Sequence, residues 1–245
     1  NIKIIIVSFI LFFTGCEKVV DIDVPSIEPK LIIDANFESY FDNGTVTENA
    51  IVKLRKSADY FEETIPVVTN ATVFITNLSD NTIIDFADAD ANGDYEPVNS
   101  FFPSDNIEYE LTVVYENETY KGKATKIKAP KINSIKQGDG TLFSGDETEL
   151  KISFTDDIAE ENYYLFNFNS KKFLAIEDRY FNGSDYNFSY YLKAEEIELP
   201  TKLPVKLSGI TKEYFTYFRV LIDQSGQNGG GPFQSVPSSL LGNMI

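Results

Sequence analysis

Between residues 85 and 97 the chain reads DFADADANGDYEP, with Asp85, Asp88, Asp90, Asn92 and Asp94 crowded around Gly93. Oxygen-bearing side chains at alternate positions are what a calcium loop requires. Asp88, Asp90, Asn92, Gly93 and Asp94 fill the first, third, fifth, sixth and seventh places of a helix-loop-helix calcium site. The twelfth place of that pattern calls for a bidentate Glu, and here it holds Asn99. The flanks TIIDF and DYEPV alternate like strands rather than repeating like helices. The preferred reading is therefore a strand-to-strand turn in which Gly93 supplies a positive φ. Weak calcium binding by Asp88, Asp90, Asn92 and Asp94 is the alternative.

A second reactive position is Cys16, the chain's one cysteine, which has no partner for an internal disulfide. It follows Lys3, the apolar run from Ile4 to Phe13, and small residues. Ten residues are too few to span a bilayer but suit the core of a secretory signal. Phe13, Thr14, Gly15 and Cys16 then read as a lipobox, although Leu is commoner in the first place. Cleavage before Cys16 would leave it as an acylated first residue, and each buried methylene contributes about 0.8 kcal/mol to anchoring. Residues 1–15 are thus expected to be a lipoprotein signal peptide. Residues 16–29, acidic and carrying Pro25 and Pro29, read as an extended tether.

Other chemistry is thin. The chain contains no histidine, which removes His-based triads, histidine general bases and His-ligated zinc or iron. Paired acids recur at Asp156 and Asp157 and at Glu160 and Glu161, and glycosidases need two carboxylates flanking a cleft. Adjacent acids in FTDDIAEENYY read better as a solvated connection between strands. The glycine run at 229–231 has no following Lys-Ser/Thr and opens no helix, so it is no phosphate cradle. Thirty-eight acidic against twenty-one basic side chains give a formal charge of -17, so nucleic acid is not expected as a partner. No catalytic residues and no enzyme activity are expected.

The elements that must carry these residues are short. From Lys30 onward apolar residues alternate in LIIDANFE, AIVKLRKS, ATVFITNL, IEYELTVVYEN and TYKGKATKI, separated by Asn, Asp, Gly and Pro. Such period-two runs predict half-buried antiparallel strands. In EYELTVVY the residues Tyr109, Leu111 and Val113 share one face. Residues 30–129 are expected to form an immunoglobulin-like β-sandwich. Pro130 breaks the rhythm and marks a boundary. Residues 130–245 are then expected to form a second, fibronectin-like β-rich module, heavily aromatic and truncated at its C-terminus. TKEYFTYFRVLIDQSG places Tyr214, Tyr217, Phe218 and Leu221 at helical spacing, with Thr211 as N-cap and Gly226 as stop. The aromatic residues of this half belong mainly to strand cores. Outward members, with Tyr163, Tyr180, Tyr186 and Tyr190 as candidates, would form a contact patch.

The lipobox with CEKVVDIDVPSIEPKLIIDA, the run ATVFITN, GDYEP and IEYELTVVYENETYKGKAT, the segment ISFTDDIAEENYYLF, and the tail YFTYFRVLIDQSGQNGGGPFQSVPSSLLGN together resemble a Bacteroidota outer-membrane lipoprotein family, domain of unknown function 4249. The resemblance implies an immunoglobulin-like or carboxypeptidase-regulatory-like sandwich followed by a second β-rich domain. It implies genes lying beside TonB-dependent receptors and a chain that continues past Gly242 and Asn243. It carries over no catalytic residues. The expectation is an accessory lipoprotein, held by covalent lipid on Cys16 in the outer membrane, with the cell surface favoured over the periplasmic face. It would bind a ligand or dock on a TonB-dependent transporter in nutrient uptake. A structural or adhesive envelope protein with no transport role is the alternative. No cofactor is expected, calcium being the less favoured exception.

Overall fold

The computed structural model describes residues 28–42, 45–59, 62, 64–142, 145–158, 160–169, 171–193, 202–225, 240 and 242–245. The expectations placed on the signal, on Cys16, on most of the tether and on the glycine-rich loop at 226–239 fall outside these residues.

Seven antiparallel strands come first: β1 (Leu31–Asp42), β2 (Thr45–Lys56), β3 (Thr72–Asn77), β4 (Ile83–Ala87), β5 (Asp94–Pro97), β6 (Glu108–Tyr115) and β7 (Glu118–Thr125). They form one continuous sheet in the order β1-β2-β5-β4-β3-β6-β7. The joint is β5, which pairs Tyr95 with Val52 on one side and Pro97 with Phe86 on the other. Because β5 is only four residues long, it links two larger strand groups that share one core. Tyr109, Leu111 and Val113 of β6 are buried on the face that their alternation predicts. Tyr95 secures the joint: its hydroxyl accepts from the Ala71 amide at 3.0 Å and donates to the Val68 carbonyl at 3.1 Å.

Six more strands and a helix follow: β8 (Ile132–Gln137), β9 (Thr148–Thr155), β10 (Tyr163–Phe168), β11 (Lys172–Glu177), β12 (Asp185–Leu192), β13 (Val205–Ile210) and α1 (Lys212–Gln224). They form two antiparallel three-stranded sheets, β11-β10-β13 and β12-β9-β8. The inner faces meet through aromatic rings. Phe154 of β9 lies 5.2 Å from Tyr164 and 5.8 Å from Phe166 of β10, ring centre to ring centre. Tyr190 of β12 stacks on Phe168 at 4.0 Å. The other face of β10 carries Tyr163 and Leu165, which pack with Phe215 of α1. A strand buried on both sides has no place for a solvent-facing residue, and YYLFNF accordingly runs almost without polar interruption.

The fold is thus mainly β with one α-helix among the described residues. Thr211 caps α1, its hydroxyl accepting from the Tyr214 amide at 3.3 Å. The buried stripe differs from the predicted one. Phe215 and Ile222 are buried and Phe218 packs beside Phe215 as predicted, while Tyr214 is half exposed. The helix lies across β10 and β11, so Phe215 packs on Tyr163 and Phe218 on Phe173, and Tyr214 is left at the edge of that contact.

Contacts join the first sheet to the later ones. Lys206 of β13 reaches Glu38 of β1 at 2.6 Å and lies 5.2 Å over the Tyr40 ring. Ile127, beyond β7, forms a β-bridge to Gly209 of β13. Residues 243–245 return to the first sheet, where Ile245 exchanges hydrogen bonds with Lys121 at 2.7 and 2.9 Å.

A side chain at Gly209 would place its Cβ 2.4 Å from the Lys128 carbonyl oxygen. Gly209→Ala is therefore expected to open the Ile127 bridge and lower stability in urea unfolding by about 1–3 kcal/mol. Gly242→Ala, with nothing within 4 Å, should be silent.

Candidate functional site

The acidic stretch at 85–97 closes on itself. Asp88 accepts the amides of Asn92 at 3.1 Å and Gly93 at 2.9 Å, and Asn92 accepts the Asp94 amide at 2.7 Å. Asp90 accepts the Asn92 side-chain amide at 2.9 Å. Asp94 is bound by Arg55 at 2.5 Å, and the same guanidinium donates to the carbonyls of Leu54 and Gly93. Gly93 sits at φ +80°, and a Cβ there would lie 2.5 Å from Arg55 Nη1. The loop is built as a turn with a cation against it. Among the described residues no group of three or more Cys, Asp or Glu side chains is arranged to hold a metal ion.

The four candidate tyrosines do not share a surface. Tyr163 lies under α1, and Tyr186 and Tyr190 pack into the core between the two smaller sheets. Tyr186 stacks on Phe181 with ring centres 3.9 Å apart. Tyr180 alone of the four turns outward, 88% exposed on the 3-10 turn Asp178–Tyr180. Ring area in this half is used for packing because the sheets are narrow and their core is correspondingly aromatic.

Beneath that turn lies a polar cluster that the sequence hid. Asp156 was expected in a solvated connection but is only 5% exposed. Its oxygens accept the Tyr164 hydroxyl and the Gly183 amide, which replaces the water it loses. Asp178, 1% exposed, accepts the Asn162 amide at 2.8 Å. Burial pushes the Asp178 carboxyl above the usual range, and the charge of Asp156 adds to the effect. This cluster ties the loop after β9 to the loop after β11.

The third sheet offers a different surface. Its inner face carries Leu150, Ile152 and Phe154, so Lys151 and Ser153 of β9 point outward. The outward rows run across three strands. Lys136, Lys151 and Ser189 align in one, and Ser134, Ser153 and Asn187 in the next. These six residues line a shallow groove of about 360 Å³. One irregularity makes the rows possible. Ile132 pairs with Phe154, yet Ser134 pairs with Ser153, so Asn133 is an extra residue in β8. Without that bulge Ser134 and Lys136 would fall on the core face; with it they face solvent.

Glu149 lies beside the groove, two residues before Lys151 on β9. Only 5% exposed, it accepts the Ser189 hydroxyl at 2.6 Å and the Gly140 amide at 2.9 Å, with Lys151 Nζ at 3.6 Å. The Ser189 hydroxyl, then the Gly140 amide, hold its carboxyl below the usual range. Sequence reasoning missed this surface. Neither the register nor the bulge can be read from residue types alone.

The two acids predict opposite pH signatures. Asp178 has a raised folded value, so its ionisation works against the fold as pH rises above the unfolded value of about 3.9. Asp178→Asn should raise the melting temperature near neutrality, with the gain vanishing below that pH. Glu149 has a lowered folded value, so its stabilisation is present above an unfolded value of about 4.3 and is lost in acid. Glu149→Gln should lower the melting temperature near neutrality and converge with the unaltered chain as pH falls through the carboxylate range. Thermal unfolding between pH 3 and pH 8 reads both.

No curated protein matches the chain. A family model described as Domain of unknown function (DUF4249) matches residues 17–245. That match takes in every strand, the helix and the grooved sheet, and the chain belongs to the DUF4249 family.

Proposed function

We propose that the chain is an outer-membrane lipoprotein, anchored by fatty acids on Cys16, that acts without catalysis as a ligand-binding or docking partner of a TonB-dependent transporter in nutrient uptake. The observation that carries the reading is the lipobox Phe13-Thr14-Gly15-Cys16 behind a basic residue and an apolar run. Everything after Cys16 falls within the family match. The tether of residues 16–29 feeds directly into β1, whose start is tied to the end of β2 by Lys30 and Ser57. At about 3.3–3.6 Å per residue such a tether holds the β units within roughly 50 Å of its lipid.

The rest of the chain suits a binding role on the cell surface, which we favour over the periplasmic face. A net charge of -17 keeps the protein off anionic headgroups, so attachment rests on the lipid rather than on the protein surface. The bridge at Gly209 and the Lys206–Glu38 ion pair hold the sheets together, giving a partner a fixed surface to meet.

Mass spectrometry of the protein from its own membranes is expected to find a mature chain beginning at acylated Cys16. Cys16→Ser should move it to the soluble fraction. A barrel receptor should copurify from native membranes with the unaltered protein. An unmodified thiol on soluble protein would overturn the anchor. Acylated protein that reproducibly lacks a receptor would overturn the transporter role in favour of a structural or adhesive one.

A further inference from the structure

The outer face of the third sheet departs from what a passive surface needs. Lys136 and Lys151 are direct cross-strand neighbours. Like charges placed opposite one another destabilise a sheet. In a chain with thirty-eight acidic side chains, an acid opposite Lys151 would have been the ordinary solution. Instead the carboxylate beside Lys151 is Glu149, one row along β9; it reaches Lys151 only at 3.6 Å and is already engaged by Ser189 and Gly140, which leaves Lys136 with no acid of its own among the described residues. Lys136 has neither a hydrogen bond nor an ion pair among the described residues.

The bulge at Asn133 is an independent second observation. It alone brings Lys136 and Ser134 to the outer face, and bulges commonly re-aim side chains beside functional sites. The groove is also mixed in chemistry. Two ammonium groups supply only donors, whereas Ser134, Ser153 and Asn187 both donate and accept. Its 360 Å³ lies at the low end of small-molecule sites, which run to about 1,000 Å³.

We infer that this groove binds a small anionic ligand bearing hydroxyl groups, an acidic sugar being the class that fits. The anionic group lies between Lys136 and Lys151, relieving their repulsion. The hydroxyls exchange hydrogen bonds with Ser134, Ser153 and Asn187. Both carboxylate and sulfate satisfy the lysine pair, since ammonium groups act as point charges rather than as a shaped fork. The inference rests on the ligand-binding form of the function proposed above.

The test is amide NMR of the full chain in detergent, titrated separately with D-glucuronate, D-glucose 6-sulfate and D-glucose. One or both acidic sugars are expected to shift the amides of Ser134, Ser153, Asn187 and Ser189, and D-glucose is not. Which acidic sugar binds identifies the anion. Added salt should weaken binding several-fold. Lys136→Gln combined with Lys151→Gln should abolish the shifts while leaving the melting temperature no lower. Equal shifts from D-glucose would overturn the charge argument, and no shift at these amides from any of the three would overturn the site. Receptor copurification by the Lys136→Gln, Lys151→Gln protein keeps this failure separate from that of the anchored accessory role.

Discussion

Burial of β10 on both faces is the constraint on which the second half of the molecule depends. Tyr164, Phe166 and Phe168 meet the rings of β9 and β12, while Tyr163 and Leu165 meet α1. Fully burying each such side chain contributes about 1.5–3 kcal/mol. A strand with two apolar faces can sit only in the middle of three layers, so helix, second sheet and third sheet are ordered by one six-residue segment. The outermost sheet then has a single apolar face. Its other face is released from packing and is where Ser, Asn and Lys can stand in rows.

Much of this order could be read from residue types. The period-two runs give the strands, Thr211 gives the start of α1, and the aromatic content of residues 130–245 gives the material of strand cores. What resisted reading depends on pairing across the sheet. Nothing local to INSIKQ announces that Asn133 is an extra residue, because a bulge is defined by the partner strand. Asp156 and Asp157 look alike in sequence, yet one is buried because Tyr164 and Gly183 reach it from other strands and loops. The tyrosines Tyr163, Tyr186 and Tyr190 were candidates for a surface patch, and narrow sheets drew them inward instead. On α1 the predicted Phe218 packs as expected, but Phe215 rather than Tyr214 turns to the sheet because the helix lies across β10 and β11. Cys16 rests on motif and hydropathy alone.

The acidic composition has a structural side too. Several carboxylates serve as local ties: Asp88 closes the turn before β5, Asp94 binds Arg55, Glu149 holds the loop before β9, and Glu38 reaches Lys206 across the sheets. Each stands where backbone amides or a cation would otherwise lack a partner. Against that background Lys136 and Lys151 stand out as the reverse case, two cations paired across strands with a single carboxylate, Glu149, 3.6 Å from Lys151.

Hydrogen exchange followed by mass spectrometry tests the three-layer account most directly, since it ranks segments by the cost of exposing their amides. The account predicts that residues 163–168 exchange most slowly in the second half of the chain, slower than the edge strands β8 and β12. Exchange of 163–168 at the rate of those edges would contradict it.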